Sequence, residues 1–441
     1  MMHTGEDIGP LSMDLAPRGT RRAGCACVQG THGRRKRRLM STRYTRGAAA
    51  AAALALLLAA CGGDKGGNGG EKGDAKAANG PAVAGGDTSA SGQARGGQTA
   101  NAAGPGQDNG PRAKTGANEL GRILVLEYHR IGPKEGEWYR SEAHFRQDLQ
   151  SLYERGYRPV TMREVASGNI NLPAGTSPVV FVFDDSSQGQ FYYLPNGGID
   201  PHTMVGMWSA FKQQHPEWSG GATWCVLPGA VHPSNFWGEA KSVPANRQER
   251  EATIKKKIDY LLQNGHEICN HTMWHAKLSQ YEDGFVQDQI GSGQDSIMHY
   301  LPADYKITTF ALPLGLWPKN RPLAWHGTYR NGKTYDYQVV LEVSGGPNVS
   351  PFDRAWDPHS VDRFIAAPGA IERQLAHWDQ DPAERYVSDG DPNTVSYPAR
   401  EASKLDRSRL GNRQAKEVAD TPAAGHPAAG AAPAATPPSG H

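Results

Sequence analysis

The sequence predicts an α/β fold, in the form of either a parallel sheet covered by helices or a (β/α) barrel. Two observations lead to this prediction. Between about residues 119 and 400, short apolar runs typical of strands buried on both faces alternate with amphipathic helical segments. Polar or turn-forming residues follow four of these runs, and in parallel α/β folds the active site lies at the carboxyl ends of the strands.

Five apolar runs predict the strands of this fold. They span residues 123–126, 179–183, 222–227, 267–269 and 307–312. Their shortness and their lack of polar alternation indicate burial on both faces. No Gly-rich phosphate-binding loop follows any of these runs, and the sequence contains no internal repeat.

Three amphipathic segments predict helices between the strands. The first begins at Ser141, a favourable N-cap residue, and ends at Gly156, with apolar residues recurring at helical spacing. The second spans residues 246–263. The third spans residues 278–301, although the glycines within it weaken the helical propensity.

Two tracts outside this region lack the large apolar residues that a core requires. Residues 61–118 are rich in Gly, Ala, Asn and Asp, and the C-terminal tract is rich in Ala and Pro. Such compositions bury too little apolar surface to fold. We therefore predict a disordered tether at 61–118, a folded domain at 119–400 and a disordered tail at 401–441.

The N-terminal segment is organised like a bacterial export signal. From Met40, two arginines precede an apolar run at 47–58, which is shorter than the about 20 residues that a membrane-spanning helix needs. The run ends in Leu-Ala-Ala-Cys-Gly around Cys61 and resembles a lipobox. The resemblance implies that residues 1–60 are a removed leader, that translation starts at Met40, and that acylated Cys61 anchors the protein in the membrane, facing the extracytoplasmic side of the cell envelope.

The charge distribution argues against nucleic-acid binding. Residues 1–60 hold ten basic and three acidic side chains, so the net charge of +2 conceals an excess of acidic groups in the remainder, 42 against 37 basic ones. The basic run at 34–38 would suit nucleic acid, but it lies in the segment that the export signal predicts to be removed. We expect no nucleic-acid partner.

Polar side chains at the strand ends are the candidate site. Asp184 and Asp185 directly follow the second apolar run, His271 and His275 follow the fourth, and His129 closely follows the first. Two histidines four residues apart can reach one ion, and a carboxylate from another strand supplies a third ligand. Three protein ligands leave a position open for water, and the second carboxylate is placed to accept a proton from that water.

Each part of this pattern has a simpler interpretation. Paired aspartates such as Asp184 and Asp185 often only cap a helix, and an isolated His-x-x-x-His is a weak signal. The joint arrangement of these groups at the ends of different strands favours a metal-dependent hydrolytic site.

These residues resemble the first two motifs of the polysaccharide deacetylases, the NodB-homology carbohydrate esterases. The usual forms in that family, Thr-Phe-Asp-Asp and His-Ser/Thr-x-x-His, correspond to residues 183–185 and 271–275. The resemblance covers nearly all of residues 120–400 and includes the sequence Tyr-His-Arg at 128–130.

The resemblance implies a distorted (β/α) barrel and a reaction. Asp184 corresponds to the general base, and Asp185, His271 and His275 correspond to the ligands of Zn²⁺ or another divalent transition metal. The implied reaction is hydrolysis of N-acetyl groups on an acetylated, N-acetylglucosamine-containing polysaccharide of the cell envelope or its surroundings.

Two later motifs of the family are altered. The third, usually Arg-x-Pro-Tyr or Ala-x-Pro-Tyr-Gly, reads Ala-Leu-Pro-Leu-Gly at 311–315, so the arginine that would hold the base is missing and Leu314 replaces the tyrosine. We expect the backbone N–H of Leu314 still to serve as the oxyanion donor. For the final Leu-His motif, whose histidine would be catalytic, His377 and His129 are candidates. His377 has the alternative of a surface histidine without a role.

Substrate contacts and rival functions complete the predictions. Trp274, between the two histidines, and Trp317 are expected at the substrate rim. Cys225 and Cys269 lie in strand-like runs, either as small buried residues or as a disulfide.

The nearest rival activity is an O-acetyl polysaccharide esterase. A non-catalytic glycan-binding lipoprotein is the second rival, favoured by Leu314 and the unclear last motif.

Overall fold

The computed structural model describes residues 108–229 and 246–420. The leader at 1–60, the acylation site Cys61 and the tether up to residue 107 therefore lie outside the described residues, as does the tail beyond 420. Within the described ranges, no helix combines the length and the apolar character that crossing a membrane requires.

The described residues form strands and helices that alternate through most of the chain. The strands are β1 (Leu124–Tyr128), β2 (Arg130–Ile131), β3 (Tyr139–Arg140), β4 (Tyr157–Pro159), β5 (Ser177–Asp184), β6 (Thr223–Val226), β7 (Glu267–Asn270), β8 (Thr309–Ala311), β9 (His326–Tyr329), β10 (Lys333–Asp336), β11 (Val339–Glu342), β12 (Val361–Asp362), β13 (Phe364–Ile365), β14 (Thr394–Pro398) and β15 (Gln414–Val418). The α-helices are α1 (Glu142–Glu154), α2 (Met162–Ala166), α3 (Met204–Gln214), α4 (Arg247–Gln263), α5 (Asp283–Met298) and α6 (Ala370–Gln380).

The main sheet is a nearly closed parallel barrel. Its strands follow the order β12-β11-β8-β7-β6-β5-β1-β13, with β4 paired to the start of β5, and every neighbouring pair is parallel. The two strands at the ends of this order, β12 and β13, are separated in the chain by Arg363 alone. The sheet must therefore curve round until its ends meet, which confirms the predicted (β/α) barrel.

The barrel strands divide their side chains between two cores. Leu124, Leu126 and Phe181 pack outward in the larger cluster, together with the buried faces of α1, α3, α4 and α5. Val125, Val180 and Val182 belong to a second cluster that draws mainly on the strands and on α2. Successive residues of a strand point to opposite sides, so this second cluster lines the barrel interior.

The helices begin and end where their capping residues place them. The hydroxyl of Ser141 accepts the N–H of His144 at the start of α1, and Gly156 follows the helix with a positive φ of 78°. The helix predicted at 278–301 is shorter than expected, because residues 278–280 form a 3₁₀ turn before α5 begins. Within α5, a Cβ on Gly291 would lie 2.3 Å from the ring of Tyr329, so glycine permits close packing there.

The folded domain extends beyond the predicted limits of 119 and 400. Asp108 forms an ion pair with the buried Arg158 at 2.9 Å, so the predicted tether is wrong over residues 108–118. At the other end, β14 and β15 pair in parallel, and Leu405 and Leu410 join a third apolar cluster. The predicted tail is therefore wrong over 401–420. The sequence did not predict that residues 401–420 are folded, because β15 is largely exposed and carries few apolar residues.

Cys225 and Cys269 form a disulfide bond between adjacent barrel strands. The two residues are direct partners in the parallel pairing of β6 and β7, with their Cα atoms 4.2 Å apart, and both side chains are fully buried. The bond therefore joins the two strands covalently just before the loop that carries the histidines.

Candidate active site

The register of the strands explains why the polar residues meet inside the barrel. Val125, Val182 and Cys269 line the interior, and the residues two positions further along their strands are Glu127, Asp184 and His271. Because side chains alternate along a strand, these polar groups point the same way as the apolar ones before them. They lie at the carboxyl end of the barrel, where the apolar filling stops.

Asp185, His271 and His275 form a group that could hold a metal ion. Oδ1 of Asp185 lies 3.6 Å from Nε2 of His271 and 3.5 Å from Nε2 of His275. Ligands of a tetrahedral zinc ion at about 2.0–2.1 Å stand roughly 3.3 Å apart, so these separations suit such an ion. The structure thus brings together the three ligands that the sequence predicted.

The hydrogen bonding of this group also fits a metal. Nδ1 of His271 lies 2.9 Å from the carbonyl oxygen of Ala311 and donates to it, so in the neutral ring that a metal requires the lone pair is on Nε2. Nε2 of His271 and Oδ1 of Asp185 are both buried without a hydrogen-bond partner among the described residues. Unpaired buried polar atoms are costly, and a bound cation would satisfy both.

The loop that carries the histidines is held by its own side chains. Oδ1 of Asn270 accepts the N–H of Thr272, and the hydroxyl of Thr272 accepts the N–H of His275 at 3.0 Å. Nδ2 of Asn270 donates to the hydroxyl of Tyr337 and to the carbonyl of Ile290 in α5. The loop is therefore anchored to the barrel and to a helix.

Backbone strain is concentrated at this end of the barrel. Among the described residues, six that are not glycine have a positive φ, and five of them lie at the site: Asp185 (71°), Ser186 (52°), Thr272 (67°), His275 (54°) and Leu314 (56°). This left-handed conformation costs about 1–2 kcal/mol per residue for a side chain with a Cβ. Two of the predicted metal ligands and the predicted oxyanion donor are thus held in conformations that local preferences oppose.

Arg363 holds the predicted base. Its Nη1 donates to Oδ2 of Asp184, and both side chains are almost completely buried. The sequence indicated that the base had lost its arginine, because the third motif lacks one. That interpretation is wrong for this barrel, since the seam between β12 and β13 supplies the guanidinium instead. The signal available in the sequence was an arginine two positions after the apolar Val361.

The sequence also did not indicate Glu127 as a site residue. Its side chain lies between Arg363 and His129. One carboxylate oxygen of Glu127 is 3.4 Å from Nη2 of Arg363 and 3.4 Å from Nε2 of His129. Glu127, His129 and Asp184 converge closely enough to form a second group of potential ligands. The guanidinium of Arg363 already contacts the two carboxylates of this group, so their charge is compensated without a second cation. A charged residue within an apolar strand was the available signal.

The position of His129 is fixed through its backbone. Its carbonyl oxygen accepts the hydroxyl of Ser187 at 3.0 Å and the side-chain amide of Gln190 at 2.6 Å. The same amide donates to the carbonyl of Asp184. The turn after β5 therefore ties the end of β1 to the base, and Nδ1 of His129 is buried without a hydrogen-bond partner among the described residues.

The charges at the site shift its pKa values in opposite directions. Burial opposes ionisation of Asp184, but the Arg363 guanidinium outweighs it and lowers the pKa of that carboxyl below its usual value. The pKa of His271 is raised despite burial, because Asp184 and Asp185 favour its charged form. Burial and the neighbouring His271 lower the pKa of His275 to about 4. Asp184 is consequently ionised at neutral pH, as a base must be.

A family comparison bears on this arrangement. Residues 222–325 match the family model described as polysaccharide deacetylase. That segment of the chain is similar to polysaccharide deacetylases. The matched segment contains both histidines of the site and the altered third motif, whereas Asp184 and Arg363 lie outside it. The chain is an enzyme of the polysaccharide deacetylase type.

Several solved structures resemble this chain at low identity. The Streptococcus pyogenes deacetylase PplD in complex with acetate is 19% identical, with 58% of this chain and 97% of that chain covered and a TM-score of 0.40. IcaB from Ammonifex degensii is 19% identical, with 59% and 97% covered and a TM-score of 0.40. A polysaccharide deacetylase from Bacillus cereus is 15% identical, with 58% and 68% covered and a TM-score of 0.39. No curated protein matches the sequence.

Three further predicted residues lie beyond the carboxyl ends of barrel strands. Leu314 follows β8 in a tight 3₁₀ turn, with its side chain 41% exposed. Trp274 lies between the two histidines and is 54% exposed. Trp317 is partly buried: its indole N–H donates to Glu342 at the end of β11, and the guanidinium of Arg321 stacks on its ring. Both tryptophans follow the carboxyl ends of barrel strands, β7 for Trp274 and β8 for Trp317, and their contact with substrate stays a prediction.

His377 does not belong to the site. It lies in α6, where its exposed side chain contacts Glu384 at 3.2 Å. The carbonyl of Glu384 accepts the N–H of Arg122, just before β1 begins, so this contact is at the amino end of the barrel. The candidate role for His377 is therefore wrong, and of the two predicted histidines only His129 lies near Asp184.

Proposed function

We propose that the chain hydrolyses N-acetyl groups on an N-acetylglucosamine-containing polysaccharide, using a divalent metal held by Asp185, His271 and His275, with zinc the best fit. One observation carries this proposal: unpaired, buried donor atoms of the predicted ligands converge beside Asp184, whose carboxylate is kept ionised by Arg363. A metal bound there would polarise the acetyl carbonyl and acidify a water molecule.

Asp184 accepts the proton from the attacking water in this mechanism. Its carboxylate Oδ2 lies 3.6 Å from Nε2 of His271, so a water molecule activated beside the ligands is within its reach. The bond from Arg363 fixes the orientation of the carboxylate and keeps it charged. Attack on the acetyl carbon creates an oxyanion, and we assign its stabilisation to the backbone N–H of Leu314, a donor that does not depend on the side chain.

His129 protonates the leaving nitrogen. Glu127 is adjacent to its Nε2, and its Nδ1 has no partner among the described residues, so one ring nitrogen is positioned by a carboxylate while the other remains available. The proton that Asp184 takes from water is balanced by the one that His129 gives to the nitrogen. The products are acetate and a free amine on the sugar, and one water molecule is consumed.

The test is acetate release by the zinc-loaded full chain from N-acetylglucosamine oligomers and from peptidoglycan, beside the variant Asp184→Asn. Release by the parent and loss of roughly 10²–10⁴-fold in the variant would support the assignment of the base. Release only from O-acetylated glycans would favour the esterase alternative. Failure to bind zinc would refute the mechanism, whereas tight zinc binding without any release would favour a glycan-binding role.

The proposed location is the cell envelope, with the enzyme domain tethered to the membrane by lipid on Cys61. The order of basic residues, apolar run, small residues and cysteine supports this proposal. Metabolic labelling with a radioactive fatty acid should mark the parent and leave Cys61→Ser unlabelled. Equal labelling of both would exclude Cys61 as the acylation site.

A further inference from the structure

Exposed apolar side chains are confined to one end of the barrel. Within the described residues, the large apolar side chains that are more than a third exposed are Tyr139, Trp274, Tyr281, Phe285 and Leu314. Each lies in a segment that follows the carboxyl end of a barrel strand: β1 for Tyr139, β8 for Leu314 and β7 for the other three. Exposed apolar groups of a soluble domain normally scatter, so their confinement to the active-site face indicates a ligand surface.

Tyr281 and Phe285 form a continuous aromatic surface within this face. Their ring centroids are 4.3 Å apart with an interplanar angle of 31°, and the rings are 40% and 43% exposed. Phe285 lies in the first turn of α5, and Tyr281 precedes the helix by two residues. We call this pair the aromatic platform.

The aromatic platform lies beyond the metal-binding loop. The carbonyl of Gln289 in α5 accepts the N–H of Met273, two residues past His271, so that turn of the helix is level with the loop. Phe285 is four residues earlier, which places it about 6 Å further along the helix axis at 1.5 Å per residue. That distance is comparable with one sugar residue, and the exposed Trp274 lies in the loop between.

Polar contacts link the residues beside the platform to a neighbouring loop and surround it with hydrogen-bonding groups. Lys319 pairs with Glu282 at 2.9 Å, and Nδ2 of Asn320 donates to Asp283 at 3.0 Å. Both contacts tie the start of α5 to the loop after β8. The side chain of Glu282 remains 89% exposed, so its carboxylate can accept further hydrogen bonds beside the rings.

We propose that the aromatic platform of Tyr281 and Phe285 is a subsite for a neighbouring sugar residue of an N-acetylglucosamine chain. The proposal rests on the proposed function and deepens it, since it makes the preferred substrate a chain of several sugars rather than a single acetylated sugar. The apolar face of a sugar ring stacks on aromatic carbons, whose negative π-face attracts the C–H groups. Sugar hydroxyls at the ring edge would donate to Glu282. An acyl chain would instead need an apolar surface without flanking charges.

The test compares acetate release from N-acetylglucosamine dimers and hexamers, expressed as the ratio of kcat/KM for hexamer to that for dimer. The double variant Tyr281→Leu/Phe285→Leu keeps apolar side chains but removes the rings. We expect it to lower the ratio roughly two- to tenfold, as for the loss of an aromatic stacking contact. Tyr281→Phe and Phe285→Tyr keep the rings and should keep the ratio. Tyr300→Leu, an aromatic change beyond the other end of α5, should also keep it.

A binding measurement separates this proposal from the proposed activity. Calorimetric affinity for the hexamer is measured in the Asp184→Asn background, with and without the double leucine change. Weaker binding caused by the leucine change, in a parent that releases no acetate, would uphold the subsite and refute the activity. An unchanged ratio with unchanged hexamer affinity would overturn the subsite, as would a hexamer that does not bind at all.

Discussion

Two histidines at opposite ends of β7 are both buried, yet they differ in their hydrogen bonding and in the direction of their pKa shifts. His266 precedes the strand, and its Nδ1 accepts the N–H of Ala222 at 2.9 Å between the rings of Trp208 and Trp224. Burial lowers its pKa to about 3. His271 follows the strand, its Nε2 has no hydrogen-bond partner among the described residues, and two aspartates raise its pKa.

A similar difference in hydrogen bonding extends to other residues at the two ends of the barrel. At the amino end, Glu267 accepts the hydroxyls of Thr223 and Thr309 and the N–H of Arg163, so its carboxylate is fully used. At the carboxyl end, polar atoms stay unpaired and five residues adopt unfavourable backbone conformations. Unpaired buried atoms and unfavourable backbone conformations persist only where the surrounding structure imposes them. In proteins they concentrate at ligand-binding sites, where a bound ligand can compensate for their free-energy cost.

The largest expected effect comes from truncating the two histidines separately. His271→Ala should weaken zinc binding more than about 100-fold, because it removes a ligand rather than a group behind one. In the parent, zinc at 100 times its Kd should add about 2.7 kcal/mol to the free energy of unfolding, and this increment should vanish in the variant. Zinc titration and urea unfolding with and without zinc provide the measurements.

His266→Ala is the matched control for that experiment. It should keep the zinc increment but lower the free energy of unfolding by about 3 kcal/mol, since it leaves a cavity and an unpaired N–H. Loss of zinc binding in His266→Ala, or unchanged zinc binding in His271→Ala, would contradict the difference inferred between the two ends of β7.

A smaller effect is expected from Glu127→Gln, which keeps the size of the side chain. We expect roughly a 10- to 100-fold loss of kcat on N-acetyl substrates, because His129 would lose the carboxylate that positions it as an acid. An activated acetate ester, whose leaving group needs no proton, should be hydrolysed almost as fast as by the parent. Equal losses on amide and ester would mean that Glu127 only supports the fold.

The pH dependence of stability should be traceable to His266. Its folded-state pKa of about 3 lies below its usual value of 6.5, so the unfolded chain binds a proton that the folded chain excludes. Stability is therefore present above pH 6.5 and falls with decreasing pH, by about 1.4 kcal/mol per unit from this group. His266→Gln should show a flatter loss of unfolding free energy between pH 6.5 and pH 4.5 than the parent.

The smallest effect is expected at Leu314. Leu314→Gly removes the side chain that makes its φ of 56° unfavourable, so the free energy of unfolding should rise by up to about 1 kcal/mol. Because the backbone N–H remains, acetate release should fall little. Leu314→Ala keeps the Cβ and should give no gain in stability, and a gain equal to that of glycine would show that the backbone is not strained there.

Most of the barrel and the residues of the candidate site could be predicted because their signals are local. An apolar run indicates a buried strand and the polar residues after it indicate the carboxyl end, so Asp184, Asp185, His271 and His275 were expected together, and the family resemblance then distinguished Asp185 as the predicted ligand from Asp184 as the predicted base. The strands of only two to four residues near the C-terminus gave no such signal, since β12 and β13 are too short to show periodicity.

The residues that the sequence missed depend on long-range geometry. Arg363 reaches Asp184 only because the barrel closes between β12 and β13, a relation that no local pattern expresses. Residue type alone does not indicate which end of α6 faces the site, so it could not place His377. The folded residues 401–420 were missed because β15 gains its stability from pairing with β14 rather than from its own apolar content.

The position of Arg363 at the closure of the barrel ties the surroundings of the predicted base to that closure. The residue is made 179 positions after Asp184, and it is the link between the first and last strands of the sheet. A chain synthesised as far as β11 already contains every predicted metal ligand, but its base has no guanidinium beside it. The guanidinium therefore stands beside the predicted base only in a barrel whose seam between β12 and β13 has closed.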